Sequence, residues 1–314
     1  MRKLSLSNPS FRYLEKSFSE WLDVQGYAQS TVYNLPNHVR EMLYYLEEQG
    51  IHHIRELSIS HIEAHYNNLK QRSNQRQGGG LSNAHLNKHI QAMRKFTQYL
   101  RKVGRLDIPE VSLRDEATES KIIWLNLEEI KQLYAATEKV TYKYNLPEEI
   151  IEAIKARDKA MLAVYYGCGL RRTEGVHLDV GDVYFDNEIL HVRQGKNYKE
   201  RLVPINRSSL LQLQRYIYDY RPRLLKGANT EALFLSRNSP KRMQGQSLFV
   251  RLKKLQDLTE NIALQEKEIG LHTLRHSIAT HLLQAGMKLE SISRFLGHSS
   301  LESTQIYTHL AEES

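Results

Sequence analysis

The sequence predicts a mainly α-helical protein that contains one small antiparallel β-sheet. Residues 1–105 carry apolar side chains at the three-and-four spacing of helices throughout. Three short runs between residues 182 and 205 alternate as strands do, and the helical spacing then returns and continues to the end. A length of 314 residues predicts about two domains. With 40% hydrophobic and 25% charged residues, the composition is that of a folded globular protein and excludes a mainly disordered chain.

The first part of the chain is predicted to hold helices separated by loops. Ser30 or Thr31 is the candidate cap of a helix that ends at Gly50. Pro36 is expected to kink this helix or to mark its first turn. The elements that follow are a helix over Ile59–Leu69, a loop over Ser73–Gly80 and a long helix from Ser82 or Asn83 to about Val103.

The segment after the long helix has a proline and no clear period, so it is predicted to link two domains. The expected boundaries are a helical domain over 1–107, a linker over 108–122 and a second domain over 123–314. The elements predicted for the second domain are helices near Leu127–Glu138 and Leu146–Tyr166, then strands Asp182–Phe185, Glu188–Arg193 and Arg201–Ile205. A two-residue turn at Asp186-Asn187 joins the first two strands, and the remainder is expected to be helical.

Positive charge is concentrated in the first part of the chain. Residues 1–114 hold 16 Lys and Arg against 10 Asp and Glu, which is +6 of the whole chain's +8. No carboxylate occurs between Glu63 and Asp107. A stretch of one sign and this length indicates a polyanionic partner. Nucleic acid is the first candidate and an anionic membrane the second.

The long helix carries much of this charge on one face. Its apolar stripe runs from Leu86 to Val103, while the other side lacks carboxylates and combines cations with amides, the pattern of a helix in a DNA major groove. A solvated face is the ordinary alternative, and a membrane-surface helix would more often carry Trp and Phe at its apolar boundary. The candidate DNA-binding residues are Lys88, Gln91, Arg94, Lys95, Arg101 and Lys102.

The sequence offers no signal for export, for a membrane span or for a metal. Cys168 is the single cysteine and cannot form an internal disulfide, and no Cys/His spacing typical of zinc occurs. The N-terminus lacks the apolar run of a secretory signal, and no apolar stretch approaches the ~18 residues of a membrane span. These features predict a reduced, cytoplasmic protein without a cofactor or metal.

A dispersed set of phosphate-binding side chains follows a distinctive order in the second domain. Each is weak evidence alone, because ion pairs on helices and solvated hairpin lysines are common. The set comprises Arg171 and Glu174 in GLRRTE, Lys196 in QGKNYKER, His272 and Arg275 in LHTLRH, His298 in FLGHSS and Tyr307 in STQIYTHL.

This ordered set resembles that of the tyrosine recombinases, the phage integrase family, and the Xer-like members match best in length. The segment LHTLRHSIATHLLQAGMKLESISRFLGHSSLESTQIYTHL carries the most specific part of the resemblance. The resemblance implies a helical, SAM-like core-binding domain and a catalytic domain that close around double-stranded DNA as a clamp. It implies site-specific DNA recombination (integration, excision, inversion or resolution) through a covalent 3′-phosphotyrosyl intermediate.

The residue types fit that chemistry. Arg171 and Arg275 offer bidentate guanidinium contacts to the non-bridging oxygens of a phosphorane. Tyr307 is the nucleophile, because a phosphotyrosine stores the bond energy reversibly. Lys196 is the candidate acid for the leaving 5′-oxygen, and Lys199 stays open as an alternative because Asn197 replaces a glycine of the family's turn.

The histidines and the glutamate take accompanying roles in this interpretation. His272 and His298 are expected at the phosphate, and His272 is the one expected to assist Tyr307. Glu174 is expected to hold the Arg171 segment, and His276 to give structural support. Two arginines, a lysine and two imidazoles replace a metal's charge, so none is expected to be needed.

Two alternatives and an assembly question stay open at this point. A type IB topoisomerase would share the chemistry but act on one duplex, and a DNA-binding regulator would lack catalysis. Seven residues follow Tyr307, fewer than Xer-like relatives usually carry there. The expectation is therefore a monomer in solution that forms a tetramer on two DNA sites, without tail exchange as the main contact.

Overall fold

The computed structural model describes residues 4–73, 78–104, 106–108, 110–117, 122–142, 146–193, 200–298 and 300–312, of which 309–312 are described by their backbone alone. The chain divides into two units, residues 1–120 and 121–314. The predicted fold class is confirmed, because helices and a three-stranded antiparallel sheet make up the regular structure of the described residues. None of the described helices combines the length and the apolar character that crossing a bilayer requires.

The first unit is a helical bundle with an aromatic centre. Phe18 and Phe96 meet edge to face there, with ring centroids 5.4 Å apart, and both are fully buried. Ser82 caps the last helix by accepting a hydrogen bond from the His85 N–H. The helices of this unit are α1 (Pro9–Val24), α2 (Gln29–Glu48), α3 (Ile59–Gln71) and α4 (Asn83–Lys102).

Helix α2 continues through its proline. It begins at Gln29 after Ala28, which provides no side-chain cap, so the predicted cap at Ser30 or Thr31 is wrong. Pro36 lies inside the helix and lacks the N–H that would bond the Val32 carbonyl. The Ser19 hydroxyl of α1 donates to that carbonyl at 3.3 Å instead. Packing against α1 therefore supplies the donor that the proline removes.

The segment after α4 packs against the first unit. Ile108 and Val111 are buried among its core side chains, and the Asn87 side chain of α4 bonds both the N–H and the carbonyl of Glu116. Residues 106–108 and 110–117 thus run back along α4, although the polar composition of this segment predicts a linker. The segment thereby places carboxylates next to α4, whose own sequence contains none.

The second unit has a helical core and short connecting segments. One π-helical turn, Ala163–Gly167, follows the helix that ends at Leu162, and a second, Arg215–Tyr220, joins the helix that ends at Gln214 to the one that begins at Arg221. Its helices are α5 (Leu127–Ala136), α6 (Glu148–Leu162), α7 (Arg172–His177), α8 (Arg207–Gln214), α9 (Arg221–Leu225), α10 (Gly245–Asp257), α11 (Ile262–Glu266), α12 (Leu271–Gln284), α13 (Leu289–Leu296) and α14 (Glu302–Glu312).

The sheet has the strand order β1 (Val183–Tyr184), β2 (Ile189–Val192) and β3 (Arg201–Pro204), all antiparallel. Tyr184 pairs with Ile189, so four residues separate β1 from β2. The loop is therefore longer than the predicted two residues. Asp186 and Asn187 are nevertheless the central residues of its turn, because the Glu188 N–H bonds the Phe185 carbonyl, and Glu188 takes the left-handed φ of 53°.

The prediction of continuous helix after the sheet is wrong for the segment between α9 and α10. Lys226 and Gly227 both adopt positive φ and end α9. The chain then forms isolated bridges, Asp179 with Ala232 and Leu235 with Arg242, before α10 begins. The cluster SRNSP at 236–240 supplies the turn residues that interrupt a helix here.

Candidate active site

Arg171 lies where a buried turn meets a short helix. Gly169 has φ +60°, which glycine adopts without strain, and a Cβ there would lie 2.9 Å from the Leu296 side chain. This close approach brings the turn against the end of α13. Arg171 is the N-cap of α7, and its Nη2 donates to the Gly297 carbonyl oxygen at 2.7 Å.

Glu174 is a buried carboxylate that holds two arginines. It accepts hydrogen bonds from the backbone N–H and Nη1 of Arg171 at 2.8 and 2.7 Å. Both Nη atoms of Arg201 donate to it at 2.8 Å. Burial alone would raise the pKa of Glu174, but the hydrogen bonds and charge of Arg201 and the hydrogen bonds from Arg171 lower it to about 2. Glu174 is therefore ionised and fixes both guanidinium groups.

Arg201 is a residue of this cluster that the sequence patterns did not single out. It opens β3 and lies five residues after Lys196, at the end of QGKNYKER. The basic ending of that hairpin segment was the available signal. Its side chain also approaches Gly297 so closely that a Cβ there would lie 2.7 Å from the Arg201 Cδ.

Arg275 is buried on α12 and uses backbone carbonyls as partners. Its Nη1 donates to the Gly169 oxygen at 2.7 Å and its Nη2 to the Leu296 oxygen at 2.8 Å. Burial and then the charge of Arg171 lower the pKa of Arg275 to about 9. Among the described residues, no carboxylate lies within ion-pair distance of its guanidinium group. The cluster therefore holds three guanidinium groups but one carboxylate, Glu174, which pairs with Arg171 and Arg201. The excess positive charge suits an anion such as a phosphate.

Tyr307 is fully buried on α14, and its hydroxyl meets a histidine of α12. That histidine is His276, whose Nδ1 lies 2.9 Å from the Tyr307 oxygen. His272, the histidine expected to assist Tyr307, is therefore not the imidazole in contact with its hydroxyl in this structure. His272 and His276 share a helix face at an i, i+4 spacing, with ring centroids 6.5 Å apart, and α14 packs beside the second of them. Burial raises the pKa of Tyr307, while the charges of Arg275 and Arg171 act in the opposite direction.

His298 reaches the other side of the same tyrosine. Gly297 ends α13 in the left-handed conformation with φ 65° and turns the chain toward the site. The His298 ring lies nearly parallel to the Tyr307 ring at a centroid distance of 6.3 Å, and its Nδ1 lies 2.8 Å from the Thr304 hydroxyl. Burial and then the charge of Arg275 lower the pKa of His298 to about 4, so the ring is neutral near pH 7.

The remaining candidates divide into near, distant and undescribed. Burial and then the charges of Arg275 and Arg171 lower the pKa of His272. His272 therefore lies near these two arginines. Lys196 and its alternative Lys199 lie outside the described residues. His281 bonds the Tyr166 hydroxyl at 2.9 Å and lies outside the cluster. Cys168 is buried, which raises the pKa of its thiol to about 12.

The candidate DNA-binding residues of α4 are partly paired with the returning segment 106–117. Arg94 Nη1 lies 3.0 Å from Asp115, and its Nη2 bonds the Leu113 carbonyl. Arg101 Nη2 lies 3.6 Å from Glu110. The carboxylate-free face predicted from the sequence window is therefore wrong for these two arginines, because the acids come from the segment that follows the window.

The other members of the α4 face have weaker partners. Lys95 lies over the Tyr27 ring at 5.5 Å and donates to Gln98 at 3.1 Å. Lys88, Gln91 and Lys102 are exposed, and neither lysine is in an ion pair with a described residue. These exposed side chains line the solvent side of α4.

Family models match both units. The model described as "Phage integrase family" matches residues 124–314, which contain Arg171, Glu174, His272, Arg275, His298 and Tyr307. The model described as "Phage integrase, N-terminal SAM-like domain" matches residues 16–104, which contain α4. Together the two models span most of the chain.

Curated relatives named Tyrosine recombinase XerD are similar to this chain. The protein of Corynebacterium glutamicum is 30% identical over 312 residues, which cover 96% of this chain and 95% of the relative. The protein of Pseudomonas putida is 44% identical over 161 residues, which cover 51% of this chain and about half (52%) of the relative. The similarity therefore extends over nearly the full length of the Corynebacterium protein.

Solved structures share the fold at low sequence identity. XerH recombinase in a post-cleavage complex with its palindromic difH substrate gives a TM-score of 0.70 at 18% identity, covering 95% of this chain and 80% of that one. A lambda integrase dimer bound to a COC′ core site gives a TM-score of 0.64 at 14% identity, covering 94% of each chain. The arrangement of elements is thus the one found in these two recombinase–DNA complexes.

Proposed function

This chain belongs to the phage integrase family of tyrosine recombinases, and from that membership we propose that it is a site-specific DNA recombinase acting through a 3′-phosphotyrosyl intermediate. One observation carries the assignment of the site. The Tyr307 hydroxyl lies against the imidazole of His276, whose pKa burial lowers to about 4, so the ring is neutral near pH 7. His298 lies beside the same tyrosine, and the charges of Arg275 and Arg171 act on it. A nucleophile, a proton acceptor and an anion-binding charge cluster thereby meet at one point.

The arginines bind the scissile phosphate in this proposal. Arg171 and Arg275 now donate to the carbonyls of Gly169, Leu296 and Gly297. Phosphate oxygens are stronger acceptors because they carry charge, so the two guanidinium groups turn toward them. The non-bridging oxygens gain negative charge as the phosphorane forms, and the fixed positive charge stabilises that state more than the ground state. Glu174 and Arg201 hold Arg171 in place, and His272 contributes a hydrogen bond at the phosphate.

The chemical step exchanges one phosphoester for another. The Tyr307 oxygen attacks the phosphorus, its proton passes to His276, and the bond to the 5′-oxygen breaks. Lys196 protonates the leaving 5′-oxygen, with Lys199 as the alternative donor. Because a phosphodiester becomes a phosphotyrosine, little free energy is lost and a 5′-hydroxyl can reverse the step. Tyr307 is only 1% exposed, so α14 has to shift before a phosphate reaches its hydroxyl.

His276→Gln tests the proposed proton acceptor. Glutamine keeps a hydrogen-bonding side chain but takes up no proton, so cleavage of a suicide substrate should slow about 100-fold while DNA affinity stays unchanged. His281→Gln is the matched control, because His281 lies on the same helix but bonds Tyr166. Cleavage by His276→Gln at the wild-type rate would contradict the assignment and leave His272 as the acceptor.

The first unit supplies the core-binding contacts in this proposal. Residues 1–107 form the DNA-binding domain, 108–122 connect it, and 123–314 form the catalytic domain. α4 binds the major groove through Lys88, Gln91, Lys95 and Lys102, and a phosphate displaces Asp115 from Arg94 and Glu110 from Arg101.

Lys88→Gln combined with Lys102→Gln tests this surface. Each lost phosphate contact should make the slope of log K against log salt shallower by about 0.9, and thus by up to about 1.8 for the pair. Lys16→Gln on α1 is the charge control, since that lysine is exposed and paired with Glu20. An unchanged slope in the double variant would mean that this face of α4 is only solvated.

Assembly on DNA separates a recombinase from a topoisomerase. We propose a monomer in solution that forms a tetramer on two DNA sites, because joining strands from two duplexes needs four cleavages. A supercoiled plasmid with two copies of the site that the protein selects from a random library is the test. Excision or inversion between the sites is expected. Relaxation at equal rates on one-site and two-site plasmids, without recombinants, would instead identify a type IB topoisomerase activity.

A further inference from the structure

Three histidines of the first unit form a cluster that the proposed recombination chemistry does not use. His38 comes from α2, and His85 and His89 from α4. The His38 ring centroid lies 4.4 Å from that of His89 and 5.4 Å from that of His85, and the two α4 rings are 5.0 Å apart. One ring nitrogen from each residue lies within 4.8 Å of the other two. The three imidazoles therefore converge on one point between two helices.

Hydrogen bonding within the protein does not account for this arrangement. Nδ1 of His38 is buried without any partner among the described residues. The contact between His85 Nε2 and His89 Nε2, at 3.3 Å, fits an N–H···N hydrogen bond but leaves His38 without a reason to face them. Buried polar groups without partners are uncommon in folded proteins, so the cluster calls for another ligand.

The geometry matches that of a tetrahedral metal site. Zinc–nitrogen bonds of about 2.0–2.1 Å at a tetrahedral angle place two ring nitrogens about 3.3–3.4 Å apart. His85 and His89 meet this separation at 3.3 Å. Their i, i+4 spacing puts both rings on one face of α4, as in helical zinc-binding motifs. The histidine pair in HLNKH was thus a signal that the expectation of a metal-free protein missed, and the third ligand, 47 positions before His85, required the fold.

One carboxylate lies beside the cluster, among the positive charges of Arg72 and Lys88. A Glu41 carboxylate oxygen lies 3.9 Å from His89 Nε2 and accepts a hydrogen bond from Arg72 at 3.0 Å. This carboxylate can complete the coordination or balance charge from outside it. Burial lowers the pKa of His38 to about 4 and that of His89 to about 2, so both rings are neutral and hold lone pairs for a metal near pH 7.

We propose that His38, His85 and His89 bind one divalent transition-metal cation of the zinc class. The fourth position is taken by Glu41 or by water. The ion joins α2 to α4 and so fixes the helix that carries Lys88 and Lys102. This role is structural and independent of phosphotyrosine chemistry at Tyr307. Imidazole ligands suit Zn²⁺, Ni²⁺ and Cu²⁺, and three nitrogens with one further position favour Zn²⁺.

Metal binding to the full chain tests the proposal directly. Chelator-stripped protein is titrated with CoCl₂, and the visible d–d absorption of tetrahedral Co²⁺ is followed and then displaced with ZnCl₂. One equivalent per chain is expected, together with a rise in Tm on adding ZnCl₂. His85→Gln should weaken binding at least tenfold and abolish the Zn²⁺-dependent rise in Tm. His53→Gln, an exposed histidine of the same unit, is the control and should behave as wild type.

Folding is checked separately, because His85 is only half-buried and its replacement should leave the metal-free Tm nearly unchanged. If His85→Gln lowers the metal-free Tm, the single variant Arg72→Gln is measured beside it. This variant keeps all three imidazoles and should still bind one Co²⁺. Wild-type protein that binds neither ion, or equal Co²⁺ spectra in wild type and a folded His85→Gln variant, would overturn the proposal and make the cluster a packing contact only.

Discussion

Tyr307→Phe is expected to abolish the covalent protein–DNA complex while leaving folding and DNA binding intact. The change removes one oxygen from a fully buried ring, so the packing of α14 persists. The lost hydrogen bond to His276 should reduce the free energy of unfolding by only about 1 kcal/mol. Without the hydroxyl no phosphotyrosine can form, so the loss of trapping should be complete.

A nicked suicide duplex carrying the selected site measures this effect. Release of the short strand prevents religation, so wild-type protein accumulates as a covalent complex on a denaturing gel. Tyr218→Phe is the matched control, since it removes the hydroxyl of an exposed tyrosine that packs against Phe185. Covalent trapping by Tyr307→Phe, or its loss in Tyr218→Phe, would contradict the assignment of the nucleophile.

Much of the architecture was predictable because the signals are local. Apolar spacing and caps define α3 and α4, and the left-handed Gly297 ends α13 as its sequence predicts. The order of motifs around Arg171 and Tyr307 predicted the fold class and the family, since those motifs recur at fixed positions on the fold. Local sequence patterns are therefore sufficient to predict most helices and the fold class.

The wrong predictions concern places where contacts between distant segments of the chain determine the local structure. Helix α2 begins before the predicted caps Ser30 and Thr31 and passes through Pro36, where Ser19 of α1 donates to the carbonyl that the proline leaves without a donor. The acid-free window predicted a bare cationic face, but a later segment returns to pair with Arg94 and Arg101. Sequence spacing alone cannot tell which turn of one helix a second helix will meet.

The site itself shows the same limit at the scale of single contacts. His272 and His276 lie on one face of α12, and only the packing of α14 decides which of them touches Tyr307. Arg201 joins Glu174 from a strand 27 residues later, a distance over which no periodicity operates. The residue types at the site were predictable, whereas their pairing required the fold.

Glu174→Gln is expected to have the largest effect on stability of any single change in the site. Glu174 is 2% exposed and is the carboxylate shared by Arg171 and Arg201. Glutamine leaves these two positive charges, with Arg275 beside them, without a compensating negative charge. Removing one partner of a buried ion pair reduces the free energy of unfolding by about 3–5 kcal/mol. Cleavage should fall as well, because Arg171 loses the group that orients it.

The pH dependence of this loss distinguishes the charge from mere packing. The folded pKa of Glu174, about 2, lies below the ordinary value of 4.5. Its contribution to stability is therefore fully present above pH 4.5 and is lost as the pH falls toward 2. Urea unfolding of wild type and Glu174→Gln should give a difference that is constant from pH 7 to 5 and shrinks below 4.5. Glu200→Gln, an exposed carboxylate paired with His191, should change stability by less than about 0.5 kcal/mol. A Glu174→Gln difference that persisted unchanged down to pH 3 would assign the loss to shape and hydrogen bonding instead of charge.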